Sequence, residues 1–275
     1  TCVKILNPLS SELGVMRQTL LFSGLESISY NINRRMPDLK FYEFGNVYSY
    51  IPAQAQSNDV TRKYSERKKL SLFVTGSQQS ETWYKTSAKS DYHFLKSMVL
   101  ATLRKTGINI PKLVAAEADS RLFAEGEVLS INTKPLLSIG RLSQAVLKQF
   151  DIKQDVFYAD LDWTTLLREV KPDSVKFSEI SRFPEVRRDL ALLLDKAVKF
   201  ADIEALANRN GKGILRSVNL FDVYEGEKIE AGKKSYAVSF TLQDDQKTLT
   251  DNDIEKLMKR MAEVFEKELG AVIRK

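Results

Sequence analysis

Two runs near the C-terminus restrict the fold more than any other part of the chain. RSVNLFDVYEG (216–226) and SYAVSFTLQD (235–244) are rich in β-branched and aromatic residues, with a glycine-bearing loop, Glu225 to Lys234, between them. Such a pair reads as a β-hairpin. Before it, RDLALLLD (188–195) reads as a buried strand and FADIEALANRNG (200–211) as a short helix stopped by Gly211. After it, Ile254, Leu257, Met258, Met261, Val264, Phe265 and Leu269 form one apolar stripe at helical spacing. Thr250 and Asp253 supply an acidic form of the capping box for that helix, and AVIRK (271–275) closes as a strand. The order β-α-β-β-α-β predicts a ferredoxin-like domain.

The preceding segment, EVKPDSVKFSEISRFP (169–184), has two prolines, scattered charges and no period. It predicts a linker that ends in an extended X-Pro step. The expected division is therefore a first domain at 1–170, a linker at 171–182 and the ferredoxin-like domain at 183–275. In the first domain, CVKIL (2–6) reads as a strand, and a chain that opens at Thr1 inside it suggests a piece of a longer protein. Leu21, Leu25, Ile28 and Ile32 share one helical face, and LKFYEFGNVYSY (39–50) is an aromatic-rich strand. TRKYSERKKL (61–70) reads as a solvated basic loop leading into the strand LSLFVTG (70–76). DYHFLKSMVLATLRKTG (91–107) is an amphipathic helix, and further strands lie at 125–132, 135–142 and 156–163. Strands outnumber helices and neighbours are often hairpin-linked. The expected class is α+β, with a mainly antiparallel sheet flanked by helices.

Several functions are disfavoured at once. Cys2 is the only cysteine and His93 the only histidine, which excludes a disulfide framework and a zinc site built on Cys and His. Triad catalysis would rest on His93 alone. No apolar run approaches the roughly 20 residues that span a bilayer. The net charge of +6 suits a phosphate-rich partner, yet residues 176–275 hold 19 Lys or Arg against 18 Asp or Glu. A simple cationic clamp at the C-terminus is not what the charges describe.

The hairpin carries a sharper signal. Asp222 and Tyr224 stand two apart in a strand and so point to one face. A ring can stack on a nucleobase, and a carboxylate can accept from the two adjacent N–H groups on guanine's pairing edge. The structural alternative is an Asp that solicits turn amides and a Tyr packed beside the loop.

The blocks ILNPLSSELGVMRQTLL (5–21), FYEFGNVY (41–48), DYHFLKSMV (91–99), RFPEVRRDLALLLD (182–195), LFDVYEGEKIEAGKKSYAVSFTLQD (220–244) and KTLTDNDI (247–254) give the chain a specific likeness. In this order and spacing it resembles the C-terminal part of the bacterial phenylalanyl-tRNA synthetase β subunit. The resemblance implies a degenerate class II synthetase-like module followed by a ferredoxin-fold anticodon-binding domain. It implies that the first module has no chemistry of its own, is N-terminally incomplete and packs against the α subunit of an α2β2 assembly. ATP and Mg2+ then serve the parent enzyme, with no cofactor, metal or catalytic residue in this chain. The matching acid and aromatic, Asp222 and Tyr224, are implied to recognise the first anticodon base of tRNA(Phe), a guanine. The implied location is cytoplasmic, with neither DNA nor membrane as a partner.

The residues agree with a missing chemistry. A class II site holds the ATP α-phosphate with an arginine fork at the end of a strand. After Gly45 the chain continues Asn46, Val47, Tyr48, Ser49, with no arginine. Gly140 and Arg141 are the nearest approach to a second nucleotide contact, and Arg141 is expected at a sheet edge or interface. Arg182, Arg187, Arg188, Lys233 and Lys234 flank the hairpin domain's first strand or close its loop. They are candidate tRNA phosphate contacts or, equally, solvated charges. Two other functions remain: a mainly structural assembly module with little tRNA binding of its own, and a ferredoxin-like sensor of a small metabolite. The second leaves the first domain unexplained.

Overall fold

The aromatic-rich run 39–50 and the run that follows it pair antiparallel along their whole length, as β1 (Leu39–Tyr50) and β2 (Tyr64–Thr75). They form one side of a six-stranded sheet in the computed structural model, which describes residues 2–10, 14–56, 58–170, 177, 179–211, 213–226 and 229–274. The chain divides into two units, Thr1–Lys176 and Phe177–Lys275. The linker expected at 171–182 falls largely outside the described residues.

In the first unit the sheet continues with β3 (Val114–Glu117), β4 (Phe123–Ile131), β5 (Lys134–Leu142) and β6 (Val156–Asp162), in the order β1-β2-β6-β5-β4-β3. Every neighbouring pair is antiparallel. Both faces are covered. Leu70, Val74, Ala159 and Leu161 pack with α2 (Tyr92–Lys105) and α4 (Trp163–Glu169). Phe73, Tyr158 and Val156 pack with α1 (Leu21–Ile32) and α3 (Gln144–Lys148). A strand buried on both sides cannot alternate, and VFYADLD in β6 is accordingly buried at every position but Asp160.

Three expectations need correction. CVKIL is not a sheet strand: Lys4 makes one isolated bridge, to Val15, and Leu6 is 92% exposed. Its apolar residues find no sheet to join. The basic stretch is not a loop, because β2 begins at Tyr64. Its charges are tolerated in a strand because acids from the neighbouring strand meet them. Arg67 lies 2.7 Å from Asp162 and Lys69 lies 2.9 Å from Asp160. Arg141 is not at an edge. It sits on the interior strand β5, where its Nη2 lies 2.7 Å from Glu125.

The second unit has the element order β7 (Val186–Asp195), α5 (Phe200–Asn210), β8 (Leu215–Tyr224), β9 (Lys233–Leu242), α6 (Asp251–Leu269) and β10 (Val272–Arg274). Its antiparallel sheet runs β10-β7-β9-β8. Thr250 Oγ1 accepts from the Asp253 N–H at 3.3 Å to cap α6. Gly270 ends the helix in a left-handed conformation, φ 62°, which glycine adopts without a Cβ penalty. Gly211 ends α5 differently, with φ −69°, so it is no left-handed stop. Ile203, Ala207, Ile254, Met261 and Phe265 of the two helices pack with Leu192, Leu194, Val238 and Phe240 of the sheet. No described helix is long and apolar enough to cross a membrane.

Candidate functional site

Residues opposite one another in an antiparallel ladder share a face. On β9, Lys234, Tyr236, Val238, Phe240 and Leu242 face the helices and are buried, so Lys233, Ser235, Ala237, Ser239 and Thr241 face the other way. Asp222 is opposite Ala237 and Tyr224 opposite Ser235. Both candidate residues therefore stand on the sheet face that α5 and α6 leave uncovered, on the edge strand β8. Tyr224 is 42% exposed, and Asp222 is exposed with no ion pair among the described residues. The small residues Ala237 and Ser235 beside them leave the face low enough for a flat ligand to approach.

The register adds a residue that the spacing of Asp222 and Tyr224 did not reveal. Leu220 is opposite Val238 and Asp222 opposite Ala237, so Phe221 is an extra residue without a partner of its own, a β-bulge. The phenyl ring meets Arg187, whose Cζ lies 5.1 Å from the ring centroid. Arg187 is opposite Thr241, on the uncovered face. A sequence signal for this exists. The residues facing the helices run Val218, Leu220, then Val223, a step of three where a regular strand steps by two.

The same register sorts the candidate basic residues. Arg187 and Lys233 (opposite Asp195) share the uncovered face with Asp222 and Tyr224. Each is engaged locally: Arg187 Nε donates to Asp189 Oδ1 at 2.9 Å, and Lys233 Nζ lies 2.7 Å from Glu230. Lys234 corrects the expectation. It belongs to β9 and not to the loop, is 7% exposed on the helix side, and donates to the Lys196 carbonyl at 3.0 Å. It cannot reach a ligand on the opposite face. Arg188, opposite Phe240, is also on the helix side, 3.7 Å from Asp251. Arg182 is exposed, ahead of the sheet, and makes no ion pair among the described residues.

Among the described residues, Glu225 and Glu230 of the hairpin loop are neutralised by lysines, whereas Asp222 makes no ion pair. Lys196 lies 2.9 Å from Glu225 and holds that carboxyl below its usual range, with a smaller contribution from Lys234. Lys233 does the same for Glu230. A carboxylate left to itself on an open face can accept two parallel hydrogen bonds from a ligand's N–H pair.

In the first unit, Arg17 from another segment lies over β1. Arg17 Nη1 lies 2.6 Å from Glu43 and its Nε donates to the Asn46 carbonyl at 3.0 Å. A Cβ on Gly45 would collide with the Arg17 guanidinium, so glycine is what admits that group over the strand. Farther along this face Lys69 and Arg67 are held by Asp160 and Asp162, and Asp162 also caps α4 by accepting from the Thr165 N–H at 2.8 Å. On the other face Phe44 and Trp163 make an edge-to-face pair at 4.8 Å, with Phe44 48% and neighbouring Tyr42 74% exposed.

Two family models match the chain. Residues 1–163 match the phenylalanyl tRNA synthetase beta chain CLM domain, and residues 181–274 match the ferredoxin-fold anticodon binding domain. Among curated relatives, the phenylalanine–tRNA ligase beta subunit of Bacteroides thetaiotaomicron is 46% identical over 275 residues. Those of Bacteroides fragilis and Porphyromonas gingivalis are 44% and 41% identical. Each of these alignments takes in 99% of this chain, which spans about a third (33%) of the relatives' own length.

Proposed function

The chain belongs to the phenylalanyl-tRNA synthetase β-chain family, and on that premise we propose that it is the tRNA-recognising and assembly portion of a phenylalanine–tRNA ligase. Asp222 reads the first anticodon guanine of tRNA(Phe) through N1–H and N2–H, and Tyr224 stacks on that base. One observation carries this reading: the two side chains share the helix-free face of the anticodon-binding-type sheet, and Asp222 makes no ion pair among the described residues. A carboxylate near RNA phosphates is repelled unless it reads a base edge. Adenine presents an acceptor at N1 and would leave the carboxylate unpaired. A bidentate contact of this kind discriminates by about 1–3 kcal/mol, and stacking supplies about 1–3 kcal/mol with little base preference. Asp222 thus gives selectivity and Tyr224 affinity.

The first unit serves as a class II-like module without chemistry, packed against the α subunit of an α2β2 enzyme through surfaces such as Tyr42 and Phe44. Support comes from the cations of its opposite face, each of which already holds a carboxylate of its own: Arg17 with Glu43, Arg67 with Asp162, and Lys69 with Asp160. ATP and Mg2+ act in the parent enzyme, in the cytoplasm. Fluorescence titration with tRNA(Phe), and with its first anticodon guanine changed to adenine, tests the base reading. Equal binding of both RNAs, unaltered by Asp222→Ala, would refute it. Co-purification with the α subunit tests the packing role, and ATP–pyrophosphate exchange by this chain alone is expected to be nil.

A further inference from the structure

We propose that the uncovered sheet face holds a second nucleobase, stacked on Phe221, next to the one read by Asp222 and Tyr224. This rests on the anticodon reading above and extends it to a nucleotide adjoining the guanine.

In a regular strand Phe221 would point opposite to Asp222, toward the helices. The bulge removes that constraint and brings consecutive side chains to one side. The contact with Arg187, itself on the uncovered face, shows where the ring goes. It is 48% exposed there, and the β9 residues nearest to it on that face, Ala237, Ser239 and Thr241, are small. A large ring half in water beside small residues offers one flat face on which a base can stack.

Arg187 completes the platform. Two hydrogen bonds to Asp189, at 2.9 and 3.3 Å, hold its guanidinium as a planar fork against the ring. Asp189 also neutralises it, which weakens any grip on phosphate. What remains are two flat groups, phenyl and guanidinium, and both are surfaces on which bases stack. Phe221 is next to Asp222 in the chain, so a single strand that lays guanine at Asp222 carries its neighbour past Phe221. The ring offers no hydrogen bond. It takes any base and contributes affinity without specificity.

The test uses anticodon stem-loops of tRNA(Phe), intact or with an abasic site one nucleotide to either side of the guanine, titrated against this chain and against the assembled ligase. Phe221→Ala should weaken the intact RNA by about 5- to 150-fold, the range that loss of one stacked base implies. Phe221→Tyr should bind like wild type. With the abasic RNA on one of the two sides, wild type and Phe221→Ala should become equal. An unchanged affinity for Phe221→Ala, or a loss of the same size with both abasic RNAs, overturns the proposal; the second outcome would give the ring a structural role. The two readings fail separately. Guanine-to-adenine discrimination that ignores Asp222 removes the base reading, whereas the Phe221 coupling to an abasic site does not depend on it. Absence of binding by both chain and ligase removes both.

Discussion

The two sheets of this chain solve the same burial problem in opposite ways. In the first unit, α1 and α3 cover one face and α2 and α4 the other, and the middle strand β6 is buried along nearly its whole length. In the second, α5 and α6 lie on one face only, and β9 alternates between buried and partly exposed residues through most of its length. A sheet covered twice has no backbone surface left for a ligand and can recognise only through helices, loops and sheet ends. A sheet covered once keeps a flat, rigid surface, and residues there are free to answer to a ligand instead of to a core.

The largest test of that contrast compares two phenylalanines. Phe73 is 2% exposed between the first sheet and α1, and Phe73→Ala should cost about 3–5 kcal/mol of stability in urea unfolding. Phe221→Ala should stay within about 0.5 kcal/mol of wild type in the same measurement, as surface substitutions do. Comparable losses would mean that the uncovered face is a core in disguise. Tyr224→Ala should weaken binding of guanine- and adenine-bearing anticodon RNAs alike, by about 1–3 kcal/mol. A loss confined to the guanine RNA would move base selectivity from Asp222 to the ring. Smaller still, Thr250→Ala removes the cap of α6 and should lower stability by about 1 kcal/mol, with the ratio of the two RNA affinities unchanged.

How far the sequence reveals all this differs between the units for a physical reason. The second unit's elements follow period and punctuation: the α6 stripe, Thr250 and Gly270 are local signals, and the observed element order follows them. The face shared by Asp222 and Tyr224 follows from a period of two. In the first unit the decisive partners are remote. Lys69 is tolerable in β2 because Asp160 meets it, 91 residues away, and no local pattern announces that. The short elements β3, α3 and α4, of four, five and seven residues, are too brief for periodicity to register. Lys233 and Lys234 read as a pair of loop charges, yet a strand sends neighbours to opposite sides, and one of them ends buried. Phe221 escapes the same rule, since its position depends on a break in the period that shows only in the step from Leu220 to Val223.

That break has a bearing on solubility. β8 is an outermost strand, and the outer row of amide and carbonyl groups on such a strand is an invitation to another polypeptide. Two irregularities, after Leu215 and after Leu220, interrupt the row, so an incoming strand would find no long straight template to match. Deleting Phe221 would straighten the second of them while leaving Asp222 opposite Ala237. The price would be a smoother margin, better suited to joining other copies edge to edge than to staying dispersed.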